Sequence, residues 1–141
     1  MSVDISDTID AVAAEALLAN VVDWKQYDGL RVTSHTSGAV YLVMWGQLHW
    51  IPDPATFNSV FKDWNGIVNS DYIVDNMPKA LSLAPGSFIA ISGASPAWYF
   101  VTLGKKLHIP DPATVNRFNF RSPISLPHLA LDYIPTGPNV T

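Results

Sequence analysis

A chain of 141 residues, 48% of them apolar and only 14% charged, is long enough to bury a core but short of charge for its surface, where roughly 25% is usual. A formal charge of −4, with no basic run longer than Lys105–Lys106, excludes the basic footprint that nucleic acid requires. The absence of cysteine removes disulfides, thiolate zinc sites and a cysteine nucleophile, and no apolar run approaches the roughly 18 residues of a transmembrane segment.

The opening MSVDISDTIDAVAAEALLAN carries acids where a signal peptide has a basic start. A cytoplasmic protein is therefore the default expectation, with non-classical export as the route to an extracellular one. Within residues 1–26, Ile5, Ile9, Val12, Ala13, Ala16 and Leu17 recur at helical spacing. Asp7 and Asp10 suit the start of a helix by complementing its dipole, and the helix is expected to end near Asn20. A membrane-surface helix would place Lys and Arg opposite the apolar stripe, so the stripe is expected to pack on a sheet.

From about residue 27 the chain reads as two copies of one unit, 27–84 and 85–138. With an offset of 58, AVYLVMWGQLHWIPDPATFN (39–58) lies over AWYFVTLGKKLHIPDPATVN (97–116) with eleven of twenty positions identical, the mark of an internal repeat. Upstream, LRVTSHTSG and FIAISGASP align as apolar stretches followed by small-residue turns. Downstream, SDYIVD (70–75) is set against LDYIPT (131–136), which requires a three-residue insertion in the second copy.

Each copy predicts a strand, a turn, a longer strand (40–45 or 98–103), a hairpin at Gly46 or Gly104, and a short strand ending at Ile-Pro. The longer strands are apolar on both faces, as central strands are, and the hairpin glycines fall where a positive φ is needed. Neither copy has core enough to fold alone. The expectation is one compact, pseudo-symmetric α+β domain, with the two repeats face to face and the N-terminal helix covering one end.

The repeated Ile-Pro-Asp-Pro-Ala-Thr can be read position by position. Pro52 lacks an N–H and ends the strand. Asp53, held extended by the proline after it, suits an N-cap, and Pro54 fits the first helical position. Asp53 and Asp111 are thus expected to accept from downstream amides, with Thr56 and Thr114 returning their hydroxyls in a weak capping box. A carboxylate so committed is a poor acid. The phrase is read as structural, and these four residues as helix caps.

Of the four histidines, His49 and His108 sit out of register, one falling over Leu107 and the other over Trp50. Alternating side chains then face opposite ways. His49 is expected inside, and His108, Lys106 and Trp50 outside. His108 and Asp111 lack a third ligand, so no metal is expected. Neither a nucleophile elbow, a phosphate loop nor a dinucleotide fingerprint is present, and no cofactor and no catalytic residue is assigned.

Five tryptophans remain. Most, Trp98 among them, are read as core. Trp50 and Trp64 are the candidates for exposure, the latter in Lys62-Asp63-Trp64-Asn65-Gly66. An indole flanked by Asp63 and Asn65 suits a sugar ring, with its polar neighbours on the hydroxyls, and it equally suits a protein anchor.

The pattern V-Y-hydrophobic-x-x-x-G-x-x-x-x-I-P-D-P-x-T-F, carried by 40–57 and by 98–115 with Trp98 for Val and Val115 for Phe, resembles a tandem module of bacterial secreted and surface proteins, an accessory unit often beside hydrolytic domains. The closing Ile134-Pro135-Thr136-Gly137-Pro138 resembles that module's end. The resemblance implies a repeat and an extracellular setting; it implies no activity and carries over no functional residue.

The sequence thus points to a non-catalytic, lectin-like recognition module for a glycan or cell surface, with Trp50, Asp63, Trp64, Asn65, Lys106 and His108 as candidate ligand-binding residues. The alternative is a protein-interaction module forming a homo-oligomer, and the third reading is a hydrolase.

Overall fold

The computed structural model describes residues 23–141; the helix expected between Ile5 and Asn20 lies outside them. Among the described residues a short 3-10 turn, Trp24–Tyr27, precedes β1 (Arg31–Ser34), β2 (Ser37–Met44), β3 (Gln47–Trp50), α1 (Pro54–Val60), β4 (Val68–Asn69) and α2 (Asp71–Asn76). Then come β5 (Phe88–Ser92), β6 (Trp98–Thr102), β7 (Lys105–Ile109), α3 (Pro112–Phe118), β8 (Ile124–Leu126) and α4 (His128–Asp132). The strands form two four-stranded sheets, β3-β2-β1-β4 and β7-β6-β5-β8. The class is α+β. In both sheets the second strand is internal, longer than its neighbours in the first (β2) but, against expectation, not in the second, where β5, β6 and β7 are of equal length. Residues 58 apart take like partners, Tyr41 opposite Trp50 and Tyr99 opposite His108.

The chain divides into two compact units, one comprising residues through Trp50 with Asn65–Ala80, the other Ile51–Trp64 with Leu81–Thr141. In the first, Val32, Val43, Leu48, Val68, Ile73 and Met77 form a buried cluster, flanked by Trp24, Tyr41 and Tyr72. In the second, Phe57, Phe61, Phe100, Phe118 and Phe120 are all buried, with Phe120 within 6.2 Å of Phe61, 5.2 Å of Phe100 and 5.1 Å of Phe118 between ring centres. The repeat boundary at 84/85 is therefore not the boundary of packing. Segment 51–64 belongs with the second unit because α1 lays its apolar side on β5, and Thr56 Oγ1 accepts from the Gly86 amide at 3.1 Å.

One outer edge of each sheet is covered by a later stretch of chain. Leu48 donates to the Pro78 carbonyl and accepts from the Ala80 amide, and Lys106 likewise exchanges bonds with Pro135 and Gly137. Covering an edge removes a template for unwanted strand pairing. Gly137 lies tight against the strand, since a Cβ there would come within 2.7 Å of Leu107 Cδ2 and the leucine would have to shift. The correspondence set between 70–75 and 131–136 is corrected. The helix after β8 begins at His128, without an insertion and without a side-chain cap, whereas α2 starts from Ser70, whose hydroxyl accepts from the Ile73 amide.

Both hairpins turn on two left-handed residues, Trp45 (φ 58°) with Gly46 (φ 69°) and Leu103 (φ 55°) with Gly104 (φ 73°). This is the twist a two-residue hairpin needs, but for Trp45 and Leu103 it crowds Cβ against the following carbonyl oxygen at roughly 1–2 kcal/mol each. Asn tolerates that conformation through local hydrogen bonds. Leu103→Asn is accordingly expected to raise stability by about 1 kcal/mol, read as a higher denaturant midpoint at constant m-value.

Candidate functional site

Two concavities of the second unit gather polar and aromatic side chains. The larger, about 490 Å³, is lined by Ser95, Pro96, Ala97, Trp98, His108, Ile109, Pro110, Asp111, Pro112, Val115 and Asn116. Each wall has a local cause. Ser95-Pro96 turns the chain between β5 and β6, and the Ser95 hydroxyl accepts from the Ala97 amide at 3.2 Å. Trp98, the first residue of β6, pairs with Ile109 at the end of β7, which brings indole and imidazole strands to one mouth. His108 is fixed twice, by Tyr99 across the ladder and by the Val140 amide, which donates to its carbonyl at 3.0 Å.

The third wall is set by the helix start. Asp111 Oδ1 accepts from the Thr114 amide at 2.8 Å and from the Thr114 hydroxyl at 2.8 Å. The Thr114 amide, then its hydroxyl, hold the Asp111 carboxyl below the usual carboxylate range. Asp111 is therefore at once a cap and part of a cavity lining. With Oδ1 engaged, Oδ2 remains as a fixed anionic acceptor. One turn on, Val115 and Asn116 complete the wall. At Asp53 the carboxylate accepts from the Thr56 amide at 2.7 Å. Contrary to the expectation from the sequence, the Thr56 hydroxyl is engaged by the Gly86 amide, from which it accepts, while the Thr114 hydroxyl does donate to its own cap.

The smaller cavity, about 390 Å³, is lined by Asn58, Phe61, Lys62, Asp63, Trp64, Arg121 and Ser122. Trp64 is 47% exposed, yet one face of its indole stacks on Phe57 at 3.9 Å between ring centres and 18°, and its Nε1 donates to Asn58 Oδ1 at 2.7 Å. Asp63 accepts from the Asn119 side-chain amide at 3.1 Å. Asn65 belongs to the first unit, where its carbonyl accepts from Arg31 at 2.8 Å. Of the expected trio, Asp63 and Trp64 line this cavity and Asn65 does not.

Other candidates are also redistributed. Lys106 donates from Nζ to the Leu131 carbonyl at 3.0 Å and lies over the Tyr99 ring, so it lines neither cavity. Trp50, 43% exposed, lines neither. His49 is 1% exposed, bonded to the Met44 carbonyl and edge-on to Trp45. Trp98, expected in the core, is half-buried and faces the larger cavity together with Asn116 and Ser95. Its place two residues after Pro96, at the very start of the strand, was the available signal.

Among the described residues no group of three or more His, Cys, Asp or Glu is placed to hold a metal ion, and no helix is long and apolar enough to cross a membrane. The His–Asp pairs that do form, His35 with Asp71 and His128 with Asp132, lie at exposed positions and line neither cavity. Comparison with protein-family models, curated proteins and solved structures finds no match to this chain.

The lowered Asp111 pKa has a sign that can be tested. A depressed carboxyl stabilises the fold above its unfolded pKa, about 3.9, and that stabilisation is lost as pH falls through the folded value. Asp111→Asn keeps a capping oxygen but cannot titrate. Between about pH 5 and pH 2 the wild type is expected to lose more stability than Asp111→Asn; parallel melting curves across that range would contradict the assignment.

Proposed function

We propose that the chain is a non-catalytic recognition module that holds a saccharide in the cavity between β6, β7 and the start of α3. The observation that carries this reading is the composition of that cavity. An indole, three prolines, Ile109 and Val115 supply apolar surface, while the His108 imidazole, Asn116 amide and free Asp111 oxygen supply donors and acceptors at its rim. A volume of about 490 Å³ lies within the 300–1,000 Å³ typical of small-ligand sites, where apolar walls carry a few convergent polar groups. The apolar face of a pyranose ring suits Trp98, and its hydroxyls suit groups that both donate and accept. A carboxylate kept ionised by its cap accepts hydrogen bonds and does not donate a proton, which favours binding over acid catalysis.

A glycan array is expected to retain the wild type on a restricted set of sugars. On those sugars His108→Ala or Asn116→Ala is expected to weaken binding by about tenfold with the melting temperature unchanged. Absence of any retained glycan sinks the reading, and wild-type binding by His108→Ala removes it from this cavity.

A second reading, assembly through protein contacts, draws on a different surface. Leu129 and Tyr133, at i and i+4 about α4, are 71% and 87% exposed, and Ile124 on the edge strand β8 is also exposed. Apolar side chains exposed on a helix and on a strand that is at the sheet edge among the described residues favour a protein partner. Multi-angle light scattering of the wild type and of Leu129→Glu separates the two readings, since only assembly predicts a mass that falls in the variant.

A further inference from the structure

The smaller cavity has a chemistry of its own. Its two cations arrive from distant parts of the chain, Lys62 just after α1 and Arg121 just after α3, and one antiparallel bridge brings both to the same cavity, diagonally across that bridge. Phe61 pairs with Phe120, the Lys62 amide donates to Asn119 O at 2.9 Å, and the Arg121 amide donates to Val60 O at 3.0 Å. The guanidinium is oriented as well: Nη1 donates to the Asn58 carbonyl at 2.7 Å, which leaves its remaining N–H groups for another acceptor. Neither Lys62 nor Arg121 forms an ion pair among the described residues, in a chain whose formal charge is −4. Asp63, the acid of this cavity, already receives the Asn119 amide.

Trp64 completes the set. Its indole is immobilised by Phe57 beneath and Asn58 at Nε1. The cavity is lined by Trp64 and not by Phe57, so the face turned from Phe57 is the one available to a ligand. A fixed aromatic plane beside two cations and the Ser122 hydroxyl presents apolar contact and anion recognition within one concavity. A guanidinium meets a carboxylate through two parallel bonds, an arrangement that adds orientation to strength.

We propose that this cavity is a second site, for an acidic saccharide of the uronate class, with the sugar ring on Trp64 and its carboxylate between Arg121 and Lys62. The proposal shares with the reading above only the choice of a sugar as ligand; it uses different residues and a different reporter. The pairing of ring and charge distinguishes it from a bare anion site and from a neutral-sugar platform.

The test uses the full chain, with the indole Nε1–H resonances followed by NMR and that of Trp64 assigned from Trp64→Phe. The titrants are an oligogalacturonate, its methyl ester and sodium sulfate. The oligogalacturonate is expected to shift the Trp64 resonance saturably, the uncharged ester to bind about tenfold more weakly, and sulfate to leave the indole unmoved. Lys62→Gln and Arg121→Gln are each expected to weaken the oligogalacturonate by about tenfold; Lys62 is exposed and forms no ion pair among the described residues, so the first variant stands even if the second is unstable. A Trp64 resonance indifferent to the oligogalacturonate, an ester that binds as well as the acid, sulfate that matches the acid, or an unchanged affinity in Lys62→Gln each overturns the proposal. Shifts confined to the Trp98 resonance overturn it while supporting the first cavity, so the two sites fail separately.

Discussion

Two carboxylates bonded to the amides three residues ahead of them organise the second unit. At Asp53 and Asp111 the strand-ending proline, the extended residue before a second proline and the first helical turn are compressed into four positions. The side-chain oxygen satisfies an amide that the first turn leaves without an intrahelical partner. Without that bond neither α1 nor α3, at seven residues each, has much intrinsic reason to form, because isolated helices of this length are marginal in water. The cap therefore fixes where each helix starts, and the start fixes which residues face inward one turn later.

The consequences differ between the two copies of the phrase. After Asp111, the first turn directs Val115 and Asn116 to a cavity whose other walls come from β6 and β7, and the cap residue itself is part of the lining. After Asp53, the same turn directs Phe57 under Trp64 and places Phe61 against Phe120, which brings Lys62 and Arg121 to one cavity. One local device thus supports two unlike concavities, one with apolar walls and a single fixed anion, the other with an indole and two cations. The difference lies in the residues downstream of each cap: Val115 where the first copy has Phe57, and Phe120 and Arg121 where it has Lys62 and Asp63.

Much of this was legible in the residues because it is local. Proline positions, the capping aspartates, the hairpin glycines and the opposite fates of His49 and His108 all derive from backbone chemistry and strand alternation, which need no knowledge of distant partners. The features that were not legible depend on contacts far apart in sequence. Nothing local says that Ile51–Trp64 packs with Leu81–Thr141, so the Thr56 hydroxyl could not be matched to Gly86, nor Lys62 to Arg121. Trp98 reads as an ordinary strand indole until Ile109 is found opposite it. Trp45 and Leu103 were missed for another reason: bulky residues rarely adopt positive φ, and here the twist of a two-residue hairpin outweighs that preference. Asn65, although adjacent to Trp64 in sequence, gives its backbone carbonyl to Arg31, 34 residues away, a contact that no local pattern announces.

The most direct measurement of the central claim tracks the backbone amide protons of Thr56 and Thr114 by NMR as pH is lowered. A carboxylate that accepts from an amide deshields its proton, and protonation of that carboxylate withdraws the effect. Both amide resonances are expected to start downfield and move upfield on acidification, with the Thr114 midpoint below the ordinary carboxylate range and removed in Asp111→Asn. Amide resonances of Thr56 and Thr114 that stay fixed across the carboxylate titration would mean that the two aspartates are not bound to their own helices, and both cavities would lose the device that positions their walls.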